Sequence, residues 1–467
     1  MGHRRRDLVV AVLALAGAVF AVLQAAVVPA LPDIDRALGA GTSSGTWILT
    51  VNLLATAVLT PVLGRMGDIH GKDRMLRVVL TALGLGTLVC ALAPSLPVML
   101  VGRVAQGAGG AVFPLAFGVL RDELERDRVA GAIGLVSSLL GIGAGVGLVI
   151  AGPVIAALGW RWLFWLPLAV LVPVAGAVAR WVPASPVRTP APVDLPSGAL
   201  MIAGLSALLV AVSEASVWGL GSGRTLGLLA AGALLVAAWV RRELASSDPL
   251  VDMRMMALRG VWTTNLAAFM LGVGMYASIA LVPTLVELPR AGGVGFGGSV
   301  TAAGLFMLPT AAPQLLVGPF IGRIARRIGS RAQLLAGIAL MLGGYLALTF
   351  AHRHAWQLVV ATGALGLGLG FGLGALANLI VVAVDPRQTG VATAMNTVMR
   401  TLGGAFGAAI AAECLARGGS LDGDFALAFA VCAGALTLGL GAVLAIPGKG
   451  PRIAVRAGRD RPALSES

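Results

Sequence analysis

The chain has 467 residues, of which 58% are hydrophobic and 12% charged, and a mean hydropathy of +0.92. Soluble domains carry about a quarter charged residues, so this composition excludes a water-soluble globular protein of this size. The net charge of +13 is no nucleic-acid footprint, because the basic residues fall in short segments between apolar runs that match the roughly 20 residues needed to cross a bilayer core.

The pattern predicts an all-α polytopic membrane protein with fourteen helices, over 8–30, 46–64, 75–94, 97–120, 129–158, 161–182, 197–218, 224–240, 261–286, 299–321, 332–351, 355–383, 390–415 and 424–446. The first run resembles a signal peptide, but its apolar part exceeds the usual ~7–15 residues and reads as a span. The run 129–158 is overlong and is expected to tilt. Cys90, Cys414 and Cys432 all fall within spans and offer neither a disulfide framework nor metal-ligand spacing. With the N-terminus inside, 26 of the 34 Lys and Arg fall in cytoplasmic segments and six in outer loops, namely Arg36, Arg161, Arg224, Arg290, Arg353 and Arg417. That asymmetry is what the positive-inside rule expects, and it places both termini in the cytoplasm. Arg103 and Arg400 remain, each within a span.

Between the second and third helices lies "GRMGDIHGKDRML", residues 64–76, a charged stretch read as a tight turn punctuated by Gly64, Gly67 and Gly71. It recurs: "PVLGRMGDIHGKDRMLR" (61–77) aligns with "PFIGRIARRIGSRAQLL" (319–335), matching Gly64 to Gly322, Arg65 to Arg323 and Gly71 to Gly329. Internal repeats of this kind mark carriers in which one half rocks against the other. The expected organisation is a six-helix half over 1–182, a linker with two inserted helices over 183–260, a second six-helix half over 261–446 and a cytoplasmic tail over 447–467. The proline-rich stretch 182–198 reads as the hinge leaving the first half.

The stretch at 64–76 resembles the loop motif between helices two and three of the major facilitator superfamily, through Gly64, Asp68, Gly71 and Lys72. "RVAQGAGGA" (103–111) resembles that family's fourth-helix motif. "LGWRWLFWLPLAV", "AGLFMLPTAAPQLLVGPFIGRIARRIG" and "NTVMRTLGGAFGAAI" resemble helices six, ten and thirteen of its fourteen-helix drug:proton antiporter branch. The glycines of "GIGAGVGLVIAGP" (141–153) resemble the antiporter motif of helix five, but depart from it where Gly147-Leu148 stands for Gly-Pro.

The resemblance implies a latch of Gly64, Asp68, Gly71, Lys72 and Asp122 that holds the halves together, with Asp68 accepting from the positive N-terminal end of a neighbouring helix and Lys72 pairing with Asp122 or Glu123. Arg326 replaces Asp68 in the second copy, which therefore cannot make the same latch. The resemblance also makes Arg103 a pivot of proton coupling, here expected to act from the inner side. The aspartate common in helix one of that branch is missing, with Leu23 and Gln24 in its place. The carboxylates left near the membrane are Asp33, Glu214, Glu287 and Glu413; either Asp33 or Glu413, at the outer ends of opposite halves, is the expected proton carrier. Polar residues within spans usually face a cavity or a partner helix. Gln24, Asn52, Gln106, Asn265, Asn378, Asn396 and Arg400 are the candidate substrate-cavity residues, with Gln314 a further buried polar position.

No P-loop, H-E-x-x-H or G-x-S-x-G appears, so ATP-driven pumping and intramembrane hydrolysis have no machinery. The expectation is a monomeric, cofactor-free and metal-free secondary transporter of the cell membrane that exports drug-like or secondary-metabolite molecules in exchange for protons, as in multidrug efflux and antibiotic resistance. Its partners are then a small-molecule substrate, protons and lipid. A carrier of another solute, importing or uniporting, is the alternative, and a membrane enzyme or scaffold the remote one.

Overall fold

The computed structural model describes residues 3–39, 42–185, 194–219, 221–290, 294–417 and 419–447. Most of the proline-rich hinge, 186–193, and the tail from 448 lie outside the described residues. All regular structure among the described residues is helical. The chain runs α1 (His3–Ala26), α2 (Leu31–Ala37), α3 (Thr42–His70), α4 (Lys72–Leu92), α5 (Leu96–Gly107), α6 (Val112–Glu123), α7 (Arg126–Leu158) and α8 (Trp162–Trp181). Next come α9 (Leu195–Trp218), α10 (Gly223–Ala245) and the short α11 (Met253–Met256). The chain closes with α12 (Arg259–Glu287), α13 (Val300–Val317), α14 (Ile321–Ile328), α15 (Ser330–Phe350), α16 (Ala355–Ala383), α17 (Thr389–Leu415) and α18 (Leu421–Leu444).

Thirteen helices among the described residues are long and apolar enough to cross a membrane. The expected span 299–321 is present as the 18-residue α13, which passes through a 3₁₀ turn at Gly318–Phe320 into α14. Proline punctuates the bundle in the same way elsewhere. Pro114 has no N–H to offer the carbonyl of Gly110, and the fourth crossing splits there into α5, a 3₁₀ turn at Ala108–Ala111, and α6. Pro29 and Pro32 end the first span at Ala26 and fold the rest into a 3₁₀ turn and α2. Helix α7 is a single 33-residue rod, about 50 Å long at 1.5 Å per residue, so it crosses a ~30 Å core only by tilting or projecting.

The stretch read as a tight turn is mostly helix. Helix α3 continues to His70 and α4 starts at Lys72; only Gly71, at φ 106°, breaks the chain. A left-handed φ of this kind is open to glycine and strained for other residues. The helix continues because Gly67 is pressed on Leu115 and Gly64 on α17, so both are needed for close approach rather than for turning. The repeat keeps the device: Gly329 joins α14 to α15 at φ 83°.

Three apolar cores hold the bundle. One is built from α1 to α8, around Leu13, Leu76, Leu115 and Phe164, and takes in Ala377 and Val381 of α16. A second lies among α12 to α18, around Leu281, Tyr345, Leu365 and Phe429. The third packs Met201, Leu205 and Leu209 of α9 and Trp239 of α10 on Ala57 and Val58 of α3 and on Met395 and Val398 of α17. Helices α9 and α10 therefore flank the seam where α3 meets α17.

Small residues let the two groups of helices touch, as expected where helices associate without a hydrophobic drive. Along α7, a Cβ on Gly141 would strike Gln314, on Gly145 Ala311, and on Gly134 Ile321, all in α13 and α14. Gly143 and Gly147 instead face the α1 backbone at Ala18 and Val22. The glycine-rich α16 uses its small faces on different neighbours, Gly366 on Thr310, Gly368 on Gly337 and Gly372 on Leu271.

Candidate functional site

Two polar arrangements lie between the helix groups. The first closes one end of the bundle. Asp68, in the last turn of α3, is 1% exposed. Its Oδ1 accepts from the backbone N–H of Gly390 at 3.1 Å and its Oδ2 from that of Val391 at 3.0 Å. These are free N–H groups of the first turn of α17, where the helix dipole favours an anion. The carboxylate can come this close because neither crossing residue has a side chain: a Cβ on Gly64 would stand 2.9 Å from Gly390 O. The repeat shows the same close approach without the carboxylate, since a Cβ on Gly322 of α14 would stand 2.2 Å from Gly131 Cα of α7, and Arg326 occupies the Asp68 position.

Around Asp68 the contacts continue. Lys72 Nζ donates to Asp122 Oδ2 at 2.7 Å, with both side chains buried. Ser185 Oγ donates to the same oxygen at 3.0 Å, and Ser185 N to Asp73 Oδ1 at 3.0 Å. Of the two acids open to Lys72, Asp122 is the partner. Arg121 crosses to the other group, donating to Thr389 Oγ1 at 2.6 Å and to Val384 O at 3.0 Å. Gly64, Asp68, Gly71, Lys72 and Asp122 are thus brought together. Asp73, a charge of the 64–76 stretch itself, belongs with them, as does Arg121, which was not singled out from sequence and whose one visible signal is its place beside Asp122.

The second arrangement is a cavity of about 270 Å³ between the helix groups. Its apolar wall includes Phe20, Phe113, Leu140, Met275 and Ile279, and its polar points are Gln24, Asn52, Thr56, Tyr276, Thr397 and Thr401. Arg103 enters from α5 and Arg400 from α17. A small cleft of about 30 Å³, lined by Ser137, Thr393 and Asn396, shares Arg400 and Thr397 with it.

Arg103 is 1% exposed and is held by neutral acceptors, with Nε donating to Ile48 O at 3.1 Å and Nη1 to Gln106 Oε1 at 2.8 Å. Asn52 Nδ2 donates to Arg103 O at 2.9 Å. Gln106 turns away from the cavity and donates to Thr87 Oγ1 at 3.0 Å. Arg103 sits in α5, which starts at Leu96, remote from the latch, and the crossing reaches the latch only at Arg121 and Asp122 of α6. Arg103 lies in the half of the bundle away from the latch, because it precedes the 3₁₀ break.

Of the expected cavity residues, Gln24, Asn52 and Arg400 line the cavity and Asn396 the adjoining cleft. Asn396 Nδ2 donates to Asn265 Oδ1 at 2.9 Å, which ties α17 to α12 and uses Asn265 as a helix clamp. Asn378 Nδ2 donates to Ala130 O at 3.3 Å and joins α16 to α7. Gln314 Nε2 donates to Thr310 O within its own helix. Neither Asp33 nor Glu413 is in the lining; Asp33 pairs with Arg36 at 2.6 Å in the short α2.

Two helix groups joined by a polar latch and enclosing a solute-sized cavity define an α-helical membrane transporter rather than an enzyme. The sequence matches the Major Facilitator Superfamily over residues 13–288 and 264–465, and the protein belongs to that superfamily. It is 28% identical over 397 residues to the multidrug resistance protein Stp of Mycobacterium tuberculosis, covering 83% of this chain and 72% of that protein. It is 26% identical over 402 residues to the multidrug transporter protein MdtP of Bacillus subtilis, covering 85% and 73%. Its fold matches the crystal structure of the human organic anion transporter MFSD10 (TETRAN), with a TM-score of 0.65 and 17% identity over 95% of this chain and all of that one.

Proposed function

We propose that the protein is a secondary active transporter that exports drug-like or secondary-metabolite small molecules in exchange for protons by alternating access. It does so as a monomer in a cell membrane, with both termini in the cytoplasm. One observation supports this most: the latch closes the end of the bundle that carries Arg65, Arg121, Arg323 and Arg326, while the cavity persists between the helix groups. Under the positive-inside rule the closed end is cytoplasmic, so the arrangement is the outward-directed member of an alternating pair. The residue division proposed is 1–182 and 261–446 as the rocking halves and 183–260 as linker and inserted pair. The relatives Stp, a multidrug resistance protein, and MdtP, a multidrug transporter protein, point to the same class of load.

A carrier without proton coupling is the second reading, favoured by the lack of a carboxylate among the described cavity residues. Efflux from a pump-deleted bacterial host expressing the chain separates the two. A panel of acidic, neutral and basic dyes is loaded, with and without a protonophore. Export that collapses with the protonophore is expected. Efflux indifferent to it favours the second reading, and no efflux of any dye sinks both.

A further inference from the structure

The central cavity carries two permanent positive charges and no negative one. Arg103 and Arg400 both line it, and no Asp or Glu does among the described residues. Arg103 is hydrogen-bonded only to neutral oxygens. Arg400 makes no ion pair, and its guanidinium has no hydrogen-bond partner among the described residues. Arginine stays charged at any working pH. A buried charge is ordinarily matched by a counter-charge, and intramembrane cations pair with one another's opposites or face a pathway. Here the unmatched pair faces a space large enough for a solute.

We propose that this cavity is an anion site, and that the load is an amphipathic organic anion whose carboxylate, sulfonate or phosphate group lies between Arg103 and Arg400. The rest of the molecule packs on Phe20, Phe113, Met275 and Ile279. The planar guanidinium fork suits such an oxyanion. Gln24, Asn52 and Tyr276 add neutral polar groups and no charge that would offset the arginines. A lipophilic cation would enter against both guanidinium groups, in a low-dielectric space where like charges repel strongly. Arg103 belongs to the first helix group and Arg400 to the second, so one anion bridges both and favours their closure around it. This assignment rests on the transporter reading above and names its substrate class.

The test uses the full-length protein in lipid nanodiscs, with empty nanodiscs as the control. The probes are pyrenebutyric acid, its neutral amide and the matching pyrenebutyl ammonium. The acid is expected to bind at least tenfold more tightly than the amide, and the ammonium most weakly. Arg400→Gln should bring the acid down to the level of the amide, and Arg400→Lys should retain part of the difference. Equal or tighter binding of the amide or the ammonium, no binding of the acid, or an undiminished preference in Arg400→Gln would each overturn the proposal. If Arg400→Gln does not fold, the wild-type background answers the question. There the acid, and not the amide, should protect a cysteine at Ala408 in the cavity wall from maleimide; equal protection by both overturns the anion site. Proteoliposomes separate this from the export reading. Acid binding that depends on Arg400 without movement of any probe upholds the site and overturns export. Export of the ammonium with no export of the acid upholds export and overturns the anion site.

Discussion

Asp68 and Gly390 meet across the seam between the two helix groups, with the carboxylate Oδ1 3.1 Å from the Gly390 nitrogen and the neighbouring Val391 N–H on Oδ2. Both oxygens of one buried anion are thus occupied by the N-terminal turn of α17. Asn at this place keeps the shape but has a single acceptor oxygen, and its NH₂ faces an N–H. Hydrogen bonds to a charged group are each worth about 1.5–3 kcal/mol. Asp68→Asn should therefore insert and express normally but transport at least about tenfold more slowly, measured as initial dye efflux per molecule of protein. Normal efflux would remove Asp68 from the cycle.

Gly64 tests the same seam without touching charge. A leucine there must push against Gly390 O and the Ala394 side chain, 2.9 and 3.0 Å from its Cβ. Gly64→Leu should hold α3 and α17 apart. A single cysteine at Thr393 should then react with maleimide from the cytoplasmic side faster than in the wild type. An unchanged labelling rate would show that the seam absorbs the side chain by other means.

The Lys72–Asp122 pair has no water to fall back on, with side chains 0% and 3% exposed. Removing one partner of a buried pair costs about 3–5 kcal/mol, whereas replacing both by apolar residues is often neutral. Asp122→Leu alone should lower the melting temperature of the purified protein and its yield. Lys72→Met with Asp122→Leu should recover most of the loss. Transport by the double variant should stay low if the pair also works in the cycle, and a fully active double variant would make it purely structural.

Part of the latch was legible because Gly64, Asp68, Gly71 and Lys72 lie close in sequence and the two glycines recur one repeat later as Gly322 and Gly329; Asp122, 50 residues from Lys72, was reached only as one of two acids open to it. What the sequence concealed is that Gly64 to His70 is helix: charge and glycine content signal a turn unless the packing on Leu115 and α17 is known. The cavity was only partly legible. Gln24, Asn52 and Arg400 stand out as polar residues in apolar runs, yet Asn265, Asn378 and Gln106 look the same and are spent on helix–helix bonds. Tyr276, Thr397 and Thr401 give no local signal, since they matter only through which helix each faces across the bundle.

Topology carries the assignment of the two ends. Single cysteines at Glu125 and Arg327 are expected to label only from the cytoplasm and one at Arg290 only from outside, read with an impermeant maleimide on intact cells. Arg290 and Arg327 flank the tenth crossing and are both exposed. Labelling of these two from the same side would remove the crossing formed by α13 and α14, and with it the repeat.

Proton coupling is the step for which the cavity supplies least. Gln24 cannot gain and lose a proton, and no described lining residue is a carboxylate. If protons drive export, a carboxylate elsewhere must carry them, and Asp33 or Glu413 is the expected carrier. Their surroundings now rank them. Asp33 is tied to Arg36 in an i,i+3 pair with the Asp33 side chain 32% exposed, the setting of an ordinary rim charge. Glu413 is half-buried near the end of α17, about 20 Å along the axis from Arg400 at 1.5 Å per residue. The same helix receives Asp68 at its first turn. Movement of α17 therefore joins the latch, the cavity and Glu413 in one rigid body, and no such path leads from α2. In proteoliposomes under an imposed pH gradient, Glu413→Gln should lose most of the gradient-driven transport and Asp33→Asn little. The double variant should behave as Glu413→Gln alone. Wild-type gradient dependence in all three would clear both residues of proton carriage. A wild-type protein indifferent to the gradient would instead place the chain among carriers that move their solute downhill.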